Sequence, residues 1–154
     1  MNDKQSRYKE VLQQAKALAD TDAIAYMANV AALLHAYFSF WWVGFYRVKA
    51  ATLVLGPFQG PLACTRIAYG KGVCGTAWKN KQTIVVPDVE EFEGHIACSA
   101  LSKSEIVVPL LQNQEVKAVL DIDSEQLDAF DKEDVYYLEQ LSAIMTQHIC
   151  FDKD

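Results

Sequence analysis

Along this chain the spacing of apolar residues starts helical, shortens to strand-like, and lengthens again. Tyr8, Val11, Leu12, Ala15, Leu18 and Ala19 recur at steps of three and four, which predicts an amphipathic helix over the first twenty residues. Ile24, Met27, Ala31 and Leu34 repeat the pattern, and Thr21 is placed to cap this second helix. From Trp41 the period drops toward two. Residues 41–48 and 52–58 predict two strands joined by a short polar turn, a β-hairpin. Residues 83–86 predict a short strand ended by Pro87, and 105–111 and 116–123 predict two more around a polar turn. Asp131, followed three residues later by Asp134, has the form of a capping box. Val135, Leu138, Leu141, Met145 and His148 mark the apolar stripe of the helix it opens. Helices flanking a mostly antiparallel sheet make the expected class α+β, a single layered domain over residues 1–154.

Two segments break the periodicity. Residues 69–75 are glycine-rich, with room for one helical turn over 76–79. Residues 88–104 are long and irregular and hold Gly94, His95 and Cys98. Long loops inside compact domains are usually functional.

Composition narrows the classes of function. Apolar residues make up 51% of the chain, enough to build a core without disulfide staples. A net charge of −6 with no run of Lys or Arg argues against nucleic acid or an anionic membrane as partner. No stretch approaches the roughly 20 apolar residues that span a bilayer. The first ten residues are polar and charged, unlike a signal peptide. Four cysteines without an export signal point to a reducing, cytosolic compartment, where thiols are catalytic, metal-binding or simply buried.

The residues with chemistry each have a plain structural explanation to beat. Gly70, Gly72 and Gly75 match G-x-G-x-x-G, but a dinucleotide site needs a parallel βαβ unit, and a tight turn with positive φ explains them better. Any one cysteine is by default a core residue, and Cys150 fits that description. Cys64, Cys74 and Cys98 instead lie in or beside turns and loops. They form no C-x-x-C clip, and His95 with Cys98 would be half a zinc site. Redox chemistry is left, in which one thiolate attacks and another displaces it as a disulfide. On 116–123, strand alternation sends Ala118, Leu120 and Ile122 to one face and Val119, Asp121 and Asp123 to the other. Two acids side by side repel, and burial would raise at least one pKa; alone they read as a solvated strand end. Gln126 and Lys132 stand where a calcium loop needs Gly and Glu. Trp42 and Tyr46 share a strand face, by default as core.

Taken in order, the blocks GPFQG (56–60), ACTRI (63–67), GVCGTA (72–77), VPDV (86–89), GHIAC (94–98), SKSEIVVP (102–109) and LDIDS (120–124) resemble the free methionine-(R)-sulfoxide reductases, enzymes built on a GAF domain. The resemblance implies a central antiparallel sheet of about six strands flanked by helices, often in a homodimer. It implies that Cys98 is the attacking thiol, Cys64 the main resolving thiol and Cys74 the family's third cysteine. It implies a substrate pocket of Trp42, Tyr46, Glu105, Asp121 and Asp123. Because a sulfoxide needs a proton donor and free methionine sulfoxide carries an ammonium, Glu105 and Asp121 are expected toward the sulfoxide oxygen and Asp123 toward the ammonium. No bound cofactor is expected, and thioredoxin is the expected external reductant. Many members carry an acid after the attacking cysteine, whereas this chain has Ser99. The rival classes are a small-ligand-binding GAF module and a redox sensor that forms the same disulfide without turnover.

Overall fold

The computed structural model describes residues 3–95 and 101–151. Helices α1 (Asp3–Ala17) and α2 (Ala23–Phe38) lead into a hairpin of β1 (Trp42–Lys49) and β2 (Thr52–Gln59). A short β3 (Arg66–Ala68), helix α3 (Gly72–Asn80) and β4 (Ile84–Val86) follow. A 3-10 turn over Val89–Glu91 comes before the second hairpin, β5 (Ser104–Gln112) and β6 (Glu115–Ser124), and α4 (Lys132–His148) is the last helix. The strands form one six-stranded sheet in the order β3-β2-β1-β6-β5-β4, antiparallel at every pairing. This is the α+β class expected from the sequence.

Strand alternation sorts the side chains onto two faces. Val43, Phe45, Ile106, Val108, Leu120 and Ile122 meet α1, α2 and α4 in the larger core. Trp42, Tyr46, Val107 and Val119 point the other way, where Val73, Cys74 and Ala77 of α3 cover them. The helix-free part of that second face is where a ligand can enter.

The capping box forms as expected: Asp131 accepts from the Glu133 and Asp134 backbone N–H groups, and Asp134 accepts from that of Asp131. Asp134 also accepts from the Tyr8 hydroxyl and from Lys4 Nζ, both at 2.5 Å, which ties α1 to α4. Five details differ from the expectations. Asp22, not Thr21, caps α2, its carboxylate accepting from Ala25 N at 2.9 Å, because an anion suits the positive end of a helix better than a hydroxyl. The buried stripe of α2 therefore starts at Ala23 and runs through Tyr26, Met27, Val30 and Leu34, leaving Ile24 exposed. Helix α3 is nine residues long where one turn was expected, since Gly70 and Gly72 take positive φ and start it early. At the other end α4 stops at His148, which is exposed; the extended Ile149 is buried instead and Cys150 faces solvent rather than the core. Strand β3 is too short to show a period and has no counterpart among the expected elements. Among the described residues no helix is long and apolar enough to cross a membrane.

Candidate active site

The register of the central strands assembles the site. Trp42 on β1 lies opposite Asp123 on β6, which lies opposite Glu105 on β5; one pleat along, Gly44 lies opposite Asp121. Side chains two apart share a face, so Trp42, Tyr46, Asp121, Asp123 and Glu105 all project to the side covered by α3. There they line a cavity of about 60 Å3 with Cys74, His95, Ser102, Ala63 and, at its rim, the exposed Leu62 and Lys71. A wider groove of about 510 Å3 between β4 and α4 has only Lys81 and Glu139 as charged lining, so the chemistry belongs to the smaller cavity.

The aromatic wall is built on a missing side chain. The Trp42 indole stacks between Phe58 (5.2 Å) and Tyr46 (6.0 Å). A Cβ at Gly44 would come within 2.3 Å of Phe58 Cβ and 2.7 Å of the Trp42 ring, so only glycine lets the indole lie there. Both rings also hold the loop that follows β2. Trp42 Nε1 donates to the Pro61 carbonyl (3.0 Å), and the Tyr46 hydroxyl donates to the carbonyl of Cys64 (2.8 Å). Cys64 is bound in a disulfide, whereas Cys74 and Cys150 are free.

The floor is acidic and buried. Cys74, Glu105 and Asp121 are 4%, 5% and 6% exposed. Burial, reinforced by Asp121 and Asp123, holds the Glu105 carboxyl well above its usual range. Asp123 is raised by burial and by Asp121, while a hydrogen bond from Ser102 Oγ (3.3 Å) opposes the rise. Burial raises Asp121 too, but hydrogen bonds from Glu105 and Cys74 act against it. Burial thus pushes all three groups toward their neutral forms, least so Asp121, which accepts hydrogen bonds from Glu105 and from the Cys74 thiol. Burial and the acids push the Cys74 thiol well up, so it is not a thiolate. Asp121 Oδ1 still has no hydrogen-bond partner among the described residues. His95 Nε2 is 3.9 Å from Glu105 Oε1, and burial lowers its pKa, so the contact is polar rather than ionic.

A family model for a GAF domain matches residues 8–149. The chain is 52% identical to GAF domain-containing protein A of Dictyostelium discoideum, over 92% of each chain. It is 49% identical to the free methionine-R-sulfoxide reductase of Escherichia coli K12, over 80% of this chain and 76% of that one. The structure of the Neisseria meningitidis free methionine-R-sulfoxide reductase in complex with its substrate superposes with a TM-score of 0.93, at 50% identity over 96% of this chain and 91% of that one. The chain belongs to the free methionine-R-sulfoxide reductases.

Of the site residues expected from the sequence, the fold brings Trp42, Tyr46, Cys74, Glu105, Asp121 and Asp123 around one cavity, with Cys64 anchored beside it. Cys98 lies outside the described residues. The face assigned to Asp121 and Asp123 is as expected, but Asp121 is buried on the side that α3 covers rather than solvated, and Asp123 is half-buried. Sequence reasoning did not put Trp41, Lys71, His95 or Ser102 in the site, and Gly44 as the seat of Trp42 left no signal. His95 and Ser102 flank Cys98 within family blocks, which was the available clue.

Proposed function

We propose that this reductase converts free methionine (R)-sulfoxide to methionine, with Cys98 as nucleophile and Cys64 as resolving thiol. The observation that carries the reading is a cavity, in a chain of this family, that joins a carboxyl whose pKa burial raises, a buried carboxylate oxygen without a hydrogen-bond partner among the described residues, and an aromatic wall. A sulfoxide sulfur becomes electrophilic as its oxygen gains a proton, which a neutral Glu105 can give. The Cys98 thiolate then forms a bond to sulfur, and methionine leaves as oxygen passes to the cysteine as a sulfenic acid. The Cys64 thiol condenses with that sulfenic acid, forming a disulfide and releasing water. Support for Cys64 in this role is its disulfide in a structure where Cys74 and Cys150 are free. An external dithiol of the thioredoxin type takes the oxidation from the pair, so no bound cofactor is required.

Asp121 orients the sulfoxide oxygen and Asp123, at the more open end of the strand, receives the ammonium, whose positive charge draws the Asp123 carboxyl to its ionised form. Trp42 and Tyr46 hold the S-methyl group, where contact between sulfur and an aromatic ring is favourable. Cys74, as a neutral thiol, favours the ionised form of Asp121 by donating to it. The test is an NADPH-coupled thioredoxin assay comparing free methionine (R)-sulfoxide with its (S) epimer. Turnover of the first and not the second is expected. Absence of turnover with a competent thioredoxin would refute the proposal in favour of a binding or sensing module.

A further inference from the structure

We propose that Cys74, Glu105 and Asp121 form a site for a thiophilic divalent cation, Zn2+, and that the cation and the sulfoxide compete for it. One ligand atom from each (Sγ and a carboxylate oxygen from either acid) lies within 4.8 Å of the others, on three different elements. Ligands sharing one zinc ion sit about 3.3–3.5 Å apart, given metal–ligand bonds of about 2.0–2.3 Å.

Three independent features favour an ion there. All three residues are buried, and Asp121 Oδ1, which lines the cavity, has no hydrogen-bond partner among the described residues. Three acidic side chains share the cavity, whose lysine, Lys71, is exposed at the rim; a dication would take the place of the protons that burial leaves on them. The cavity of about 60 Å3 leaves room for a water as fourth ligand, the open arrangement of an exchangeable site rather than the closed one of a structural site. The thiol selects the metal. Mg2+ and Ca2+ take oxygen donors, whereas one sulfur with two carboxylates suits zinc or its spectroscopic substitute Co2+. Spacing along the sequence can reveal a paired-cysteine zinc clip, but not donors gathered from α3, β5 and β6. Occupying two acids that the proposed reaction uses would make zinc a reversible inhibitor; only that competition rests on the proposed function.

The experiment uses the full chain with Cys64, Cys98 and Cys150 changed to serine, so that Cys74 is its one thiol. Titration with Co2+ should give a near-ultraviolet thiolate-to-cobalt band that saturates at about one ion per chain and disappears on adding Zn2+. Glu105→Gln and Asp121→Asn, each checked for an unchanged fold by circular dichroism, should weaken Co2+ binding at least about tenfold. Free methionine (R)-sulfoxide should lower the band in proportion to its own occupancy. No band, or a band of equal affinity in both acid variants, overturns the site; a band that the sulfoxide leaves untouched overturns the competition. Because the readout is binding, a protein inactive toward sulfoxide would refute the proposed activity while leaving the cation site standing.

Discussion

Glu105→Gln separates the proton from the shape. The amide has the size of the acid and still donates a hydrogen bond to Asp121, but it cannot give up a proton. Loss of a positioned general acid costs roughly 10^2–10^4-fold in rate. Because the cavity keeps its form, the fall belongs in kcat, with KM little changed. The same substitution has the opposite effect on stability. Burial beside Asp121 and Asp123 raises the Glu105 pKa well above its ordinary 4.5, so between those two values the folded chain holds a proton that the unfolded chain has released. Folding stability therefore falls as pH rises through that window, whereas the amide of the variant has no proton to lose. Thermal melts should show no difference between variant and wild type near pH 4 and a growing advantage for the variant toward neutral pH. Methionine release should be followed by rapid quench under single-turnover conditions. A rate within about threefold of wild type, or a difference in Tm that does not change with pH, would refute the account of Glu105.

Three further outcomes follow from the geometry. N-acetylation of the sulfoxide should cost about 1.5–3 kcal/mol in kcat/KM by removing a charge-assisted contact, and Asp123→Asn should erase most of that discrimination; equal use of both substrates by the wild type would contradict the ammonium site. Gly44→Ala places a methyl group 2.3 Å from Phe58 Cβ and should destabilise by about 1–3 kcal/mol while raising KM through Trp42, measured by urea denaturation and steady-state kinetics. Asp134→Ala leaves the Tyr8 hydroxyl without its acceptor, weakens the hold on Lys4 and removes the capping box, for a loss of about 3 kcal/mol or more read as a lower urea midpoint.

The architecture is legible in the sequence wherever a period runs long enough to be read. The two hairpins, α1 and the capped α4 stand out because their apolar residues repeat over many turns or pleats, and the face split of Ala118–Asp123 follows from period two alone. Strand β3 has three residues and no period to detect. Helix α3 reads as a single turn because its glycines look like turn residues; its stability comes from Val73, Cys74 and Ala77 packing on the sheet, a tertiary effect. The acids show the same limit. Alternation gives the face of Asp121 and Asp123, but the burial of Asp121 depends on a helix some forty residues earlier covering that face. Glu105 joins them only through the β5–β6 register. The anchoring of Cys64 by Tyr46 crosses from a strand to a loop, and no local pattern encodes it.

The central claim is that one chain uses one pair of thiols, Cys98 and Cys64, to make one methionine. Fully reduced protein should be mixed with excess free methionine (R)-sulfoxide without any reductant, and released methionine and remaining thiols counted. Wild type should yield about one methionine per chain and lose two thiols. Cys98→Ser should yield none, because a hydroxyl at its normal pKa is a poor nucleophile toward sulfur. Cys64→Ser should yield close to one methionine and stop as a sulfenic acid that a sulfenate-selective reagent traps. A full methionine burst from Cys98→Ser, with none from Cys64→Ser, would contradict the account.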